Sequence, residues 1–140
     1  ESFGLEVTWL STKVQGELRK GFQGKLPPFA GLSNPVDLVS PKDEDRINLY
    51  DFSLKLIAPE VDSLIILSFH ELSDPNFMAL LERSRDRLGK PIFMVPPIPI
   101  RKLQDIKNYT RRGIPSYYTV DRAARAIKGL VEYSTWLDSK

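Results

Sequence analysis

Ser63-Leu64-Ile65-Ile66-Leu67-Ser68-Phe69 is a nearly continuous apolar run, rich in branched residues. Short runs of this kind fit a strand buried on both faces, as strands of parallel sheets are. A second run, Pro91-Ile92-Phe93-Met94-Val95, has the same character, and Ser116 to Val120 reads as a third strand. Between the first two runs, Asp74-Pro75 gives an N-cap followed by proline at the first helical position. The helix it opens carries Phe77, Leu80, Leu81 and Leu88 and ends at Gly89. Leu103, Ile106 and Tyr109 mark a helix closed by Gly113. Asp121 is read as the cap of the last helix, with Ala124, Ile127, Leu130 and Val131 as its apolar face.

Strand and helix thus alternate over the second half of the chain. Right-handed crossovers place the helices on the faces of a mostly parallel open sheet. The expectation is an α/β fold, a flavodoxin-like three-layer α/β/α arrangement. In such sheets ligands bind at the C-terminal ends of the strands. Those ends are Phe69-His70-Glu71-Leu72, Pro96-Pro97-Ile98-Pro99 and Val120-Asp121.

The first half is less regular. Leu5 to Leu10 alternates apolar and polar, as a short extended piece does. Ser11 is read as an N-cap, and Val14, Leu18 and Phe22 recur at helical spacing before Gly24. Lys25 to Pro41 holds prolines 27, 28, 35 and 41, which break any uninterrupted helix or central strand. Leu26, Phe29, Leu32, Val36 and Leu38 make it an ordered loop rather than a linker. Asp43, Glu44 and Asp45 then open a helix with the acidic first turn its dipole favours. Its buried stripe is Ile47, Tyr50, Leu54 and Ile57, and Pro59 stops it.

Composition sets outer bounds. The chain has 140 residues, enough for one domain. A net charge of +2 from 20 basic and 18 acidic residues does not describe a nucleic-acid surface. Arg101-Lys102 and Arg111-Arg112 read as solvated faces. With no cysteine, disulfides and thiolate metal sites are excluded, and a reducing cytoplasm is the natural setting. No apolar stretch nears the roughly 20 residues of a membrane span.

Gly4-Leu5-Glu6-Val7 with Leu10-Ser11, then Leu26-Pro27-Pro28-Phe29-Ala30, then Asn34-Pro35-Val36-Asp37-Leu38 follow one another in a distinctive order. Lys90-Pro91, Gly113-Ile114-Pro115 and Ala123-Ala124-Arg125-Ala126 continue it. Together they resemble the acyl-CoA synthetase (NDP-forming) family, which is similar to succinyl-CoA synthetase. The resemblance implies that residues 1–140 form a single flavodoxin-like ligase-CoA domain, a fragment of a larger multidomain protein. It further implies that CoA-binding and ATP-grasp domains or subunits are the partners. CoA, ADP or ATP, and Mg belong to the whole enzyme, with none bound by this domain alone. The family converts acyl-CoA, ADP (or GDP) and phosphate to acid, CoA and ATP through a phosphohistidine on another domain.

The departures from the family pattern are specific. Its domain begins with a strand, a Gly-rich turn and a helix whose N-terminus faces the phosphohistidine, a placement suited to anions. Here that opening is missing, and Glu1-Ser2 corresponds to about the end of that helix. Where the relatives carry Phe-Gly-Gly-Ile, this chain has Phe69-His70-Glu71-Leu72, with side chains where glycine admits a ligand. Pro96-Pro97-Ile98-Pro99 removes backbone donors from a strand end that is usually Gly-rich.

The ligand-facing candidates are therefore Asn34, Asp37, His70, Glu71, Leu72 and Pro97. His70 is the single histidine and a weak catalytic candidate, with strand-end capping or pairing to Glu71 as the plainer role. Asn34 reads best as a turn former, since Asn hydrogen-bonds its own backbone. Asp37 stands open between a turn and an inter-domain role. Tyr117, Tyr118 and Trp136 read as packing aromatics. A non-catalytic scaffold domain derived from the same family is the alternative to a ligase part.

Overall fold

A computed structural model describes residues 3–39, 41–68, 74–96 and 102–140. The described elements are helix α1 (Thr12–Phe22), helix α2 (Asp43–Ile57), a 3-10 turn (Ala58–Glu60), strand β1 (Leu64–Leu67), helix α3 (Pro75–Leu88), strand β2 (Ile92–Val95), helix α4 (Lys102–Arg111) and helix α5 (Val120–Asp138). The chain is an α/β domain with a small parallel sheet. β1 pairs with β2 in parallel, Leu64 opposite Ile92 and Leu67 opposite Val95.

The expected third strand is reduced to one parallel bridge, Met94 to Ser116. Met94 accepts from the Tyr117 amide and donates to the Pro115 carbonyl, both at 2.9 Å. The pairing stops there because Thr119 already N-caps α5 and Val120 is its first residue. Asp121 therefore lies in the first turn rather than at the cap.

Several local signals act as read. Ser11 accepts from the Val14 amide and starts α1, which buries Val14, Leu18 and Phe22. Asp74 accepts from the Asn76 amide, Pro75 opens α3, and Gly89 closes it at φ 62°. By contrast, Leu5 to Leu10 joins no strand.

Burial divides into two clusters. The larger packs Leu64, Ile66, Ile92 and Met94 of the sheet against Leu54, Ala58, Phe77, Leu80, Leu81, Tyr109 and Ile114. The smaller joins Leu10, Val14, Leu18 and Phe22 to Leu49, with Leu26, Leu32, Val36 and Leu38 of the proline-rich loop packed on it. α2 serves both clusters: Leu49, outside its expected stripe, is buried in the smaller one, and Phe52, Leu56 and Ile57 pack against it. Ile47, Tyr50 and Ile57 are only partly buried.

The two strands are not equally enclosed. All four residues of β2 are buried, whereas Leu67 of β1 is 51% exposed and Ile65 is half-buried. Burial of β1 on both faces is thus not found: α5 packs on β2 and leaves β1 at the rim. On α5 the buried residues are Ala123 and Ile127, not Ala124, while Leu130 and Val131 are exposed. The helix outruns the sheet that its first half covers.

A tight joint follows α4. Gly113 has φ 79°, and the Arg85 guanidinium occupies the space a Cβ would need. Arg85 donates to the Arg112 carbonyl at 2.8 Å, and Arg112 pairs with Glu82 through two bonds of 2.6 Å. Gly113→Ala is expected to lower stability by about 1–3 kcal/mol, through a left-handed alanine and a displaced Arg85. Gly129→Ala, in an exposed helical position with open space around it, is expected to raise stability by up to about 1 kcal/mol. Chemical denaturation of the two variants checks the contrast.

Candidate functional site

The C-terminal ends of β1, β2 and the Ser116 bridge face the same way, because all three pair in parallel. The residues described there are Ser68, Pro96 and Tyr117. Ser68 is 1% exposed, and its hydroxyl meets no hydrogen-bond partner among the described residues. Ser84 on α3 is the other such hydroxyl. Pro96 is fully buried directly after β2 and offers no N–H. His70, Glu71, Leu72 and Pro97 lie outside the described residues.

Asn34 and Asp37 lie in a loop that closes on itself. The Asp37 amide donates to the Gly31 carbonyl at 3.0 Å, and a Cβ at Gly31 would press on Asp37. Asp37 Oδ1 accepts from the Val39 amide at 2.9 Å, an Asx-type turn. That bond holds Val39 at φ 45°, a region β-branched residues rarely enter. Asn34 reaches out of the loop instead. Its Nδ2 donates to the Thr8 carbonyl at 3.2 Å and ties the loop to the Leu5–Leu10 segment. So the turn-forming role falls to Asp37, and Asn34 is a long-range tether. No bond among the described residues brings either side chain to the sheet ends.

Electrostatic anchoring combines distant pairs, Ser11 with Glu60 and Asp51 with Arg87, with local ones. Glu60 accepts from both the amide and the hydroxyl of Ser11, which holds its carboxyl below the usual range. These bonds fix the start of α1 to the turn before β1. Burial pushes the Asp51 carboxyl up, but hydrogen bonds and charge from Lys55 and Arg87 outweigh it, and the net direction is down. Asp121 is also held low, chiefly by a hydrogen bond from the Thr119 side chain. Among the described residues, no group of three or more His, Cys, Asp or Glu is placed to hold a metal ion. No helix among them is long and apolar enough to cross a membrane.

The aromatic candidates have partners. Tyr117 packs on Phe93 at 6.2 Å between ring centroids, and Arg122 lies over Tyr118. Trp136 stacks on Tyr133 at 5.9 Å near the free end of α5, with Lys140 over its ring.

Two known proteins resemble this chain. Over 123 residues it is 28% identical to the Acetate--CoA ligase [ADP-forming] I subunit alpha of Pyrococcus furiosus, a match that covers 84% of the chain. The chain spans about a quarter of that relative, 26% of its length. Its fold matches the crystal structure of PH0766 from Pyrococcus horikoshii OT3 with a TM-score of 0.73 and 25% identity. That match covers 96% of this chain and 31% of the other. No family model matches. Together with the ordered motifs from Gly4-Leu5 to Gly113-Ile114-Pro115, these likenesses support an NDP-forming acyl-CoA synthetase-like domain.

The Ser11–Glu60 anchor has a defined pH signature. A carboxyl whose folded pKa is lowered contributes stability that is fully present above its unfolded value of about 4.5 and is lost as pH falls through the folded value. Glu60→Gln is therefore expected to lower the melting temperature at pH 7. Its gap to the parent chain should close as pH drops below about 4.5. A melting series from pH 7 to pH 3 measures both effects.

Proposed function

We propose that this chain is one domain of an NDP-forming acyl-CoA ligase. In the whole enzyme, acyl-CoA, ADP (or GDP) and phosphate become acid, CoA and ATP by way of a phosphohistidine carried on another domain. This domain contributes to the inter-domain site and docks against the CoA-binding and ATP-grasp partners. The observation that carries the reading is the alignment of 123 residues with the alpha subunit of an ADP-forming acetate--CoA ligase, spanning the loop of Asn34 and Asp37 together with both strands.

The flavodoxin-like, three-layer form of the domain belongs to this proposal. So does the idea that a strand, a Gly-rich turn and a helix outside residues 1–140 complete it. In that arrangement Asn34 and Asp37 shape the face toward the neighbouring domain. In sequence His70, Glu71 and Leu72 follow β1 and Pro97 follows β2, and they are assigned to ligand contact because ligands of α/β sheets bind past the C-terminal ends of the strands.

The chain's own part is positional. Asn34 holds the Leu5–Leu10 segment against its loop. Asp37 fixes the loop backbone at Val39. The buried Ser68 hydroxyl, without a partner among the described residues, stands at the end of β1 as a donor or acceptor for whatever occupies the strand ends.

A second reading, a scaffold domain that has lost ligand contact, is favoured by one observation. Pro96 closes the end of β2 with a buried residue that has no N–H to offer an anion. Calorimetry of the longer parent protein with CoA, phosphate and ADP separates the two, since ordinary binding rejects the scaffold. The isolated 140-residue chain is expected to give no acyl-CoA-dependent ATP formation. Robust turnover without added domains or subunits would contradict the domain reading.

A further inference from the structure

A cleft of about 890 Å³ lies between α1 and the proline-rich loop, and no residue of the sheet lines it. Its volume falls within the roughly 300–1,000 Å³ of small-molecule sites. One wall is helical. Gln15, Gly16, Arg19, Lys20 and Gln23 line it and recur at helical spacing, so they form one stripe beside the buried Val14, Leu18 and Phe22. The stripe has a notch at Gly16, where a Cβ would meet nothing within 4 Å. Glycine inside a helix costs about 1 kcal/mol relative to alanine, and no close contact requires it here.

The opposite wall is apolar and fixed. Pro27 and Pro28 line it, and the Ala30 amide closes a turn on the Pro27 carbonyl at 3.0 Å. Leu26 and Leu32 also line the cleft, and both pack on the smaller core cluster, which holds the loop in place. Two exposed aromatic residues stand at the rim. Phe29, 78% exposed, lies between Pro28 and Ala30, which both line the cleft. Trp9, 80% exposed, lies between two carbonyls bonded from the cleft side: Leu10 accepts from Gln15, and Thr8 accepts from Asn34, the neighbour of the lining residue Ser33.

The charge of the cleft has one sign. Arg19 and Lys20 line it and no Asp or Glu does. Lys20 is held by Glu17 at 2.7 Å. Arg19 has no acidic partner among the described residues.

We infer that this cleft is a binding site for a small organic anion, a carboxylate carried on a ring or a branched apolar chain. The Arg19 guanidinium takes the carboxylate, a pairing its planar fork suits, and Lys20 adds positive charge. The apolar body lies in the notch at Gly16 against Pro27 and Pro28, with the Trp9 and Phe29 rings at the rim to cover it. A cation of the same shape meets Arg19 unfavourably, and a carboxylate without an apolar body forgoes the proline wall. This inference stands apart from the ligase reading, since the cleft shares no residue with the strand ends.

Amide-resolved NMR titration of the 140-residue protein tests it, with phenylacetate, acetate and benzylamine as probes. Phenylacetate should give saturable shifts at Gly16, Arg19 and Ser33, with a Kd about 10-fold or more below those of acetate and benzylamine. Arg19→Gln should weaken phenylacetate about 10-fold or more, because a charged hydrogen-bond donor is lost. Gly16→Leu fills the notch and should abolish binding. As a better helix former than glycine, leucine there should keep or raise the melting temperature, so the loss is not one of folding. Lys128→Gln, on α5, should leave the Kd unchanged. Shifts that never saturate, equal affinity for benzylamine, or undiminished binding by Gly16→Leu would overturn the proposal. So would a mass that rises with protein concentration and returns to the monomer's in Gly16→Leu, because a second copy would then be the occupant.

Discussion

The parallel pairing of Ile92–Val95 between β1 and Ser116 is the constraint on which the rest of the domain depends. Its four side chains are buried, and each is worth about 1.5–3 kcal/mol relative to exposure. Ile92 and Met94 face the cluster built with α2, α3 and Tyr109. α5 also packs on β2, on the strand that carries Phe93 and Val95. A change at β2 would therefore reach helices from both ends of the chain. That arrangement also sets the direction of the candidate site, since strands paired in parallel end together.

Much of the local structure was legible because it rests on short-range chemistry. Ser11, Asp74, Pro75 and Gly89 begin or end helices by bonds within a few residues. The apolar runs at Leu64 and Ile92 marked the sheet. What escaped depends on distant neighbours. Leu67 sits in a run of interior character, yet lies at a rim. Ser116 to Val120 has strand-like residues, yet Thr119 caps a helix and cuts the pairing to one bridge. The expected stripe of α5 runs Ala124, Ile127, Leu130 and Val131, but of these only Ile127 is buried, together with Ala123.

The candidate site divides along the same line. Asp37 could be seen as a turn former from its position after Asn-Pro, and its bond to Val39 has that form. The tether from Asn34 to Thr8 spans 26 residues. The pairing of Glu60 with Ser11 spans 49. No periodicity marks such partners. Ser68 was visible only as part of a strand, and that its hydroxyl has no partner among the described residues emerges once burial is known. The family resemblance was carried by ordered short motifs, and these do not depend on tertiary contacts at all.

The central claim is that these residues are a working part of a larger ligase. Complementation measures it directly. The parent protein is assayed for ATP formation from acyl-CoA, ADP and phosphate with residues 1–140 deleted, and again with the separate chain added back. The account predicts turnover in the intact parent, its loss on deletion, and partial recovery when the chain is supplied in trans. Undiminished turnover by the deleted protein would contradict it.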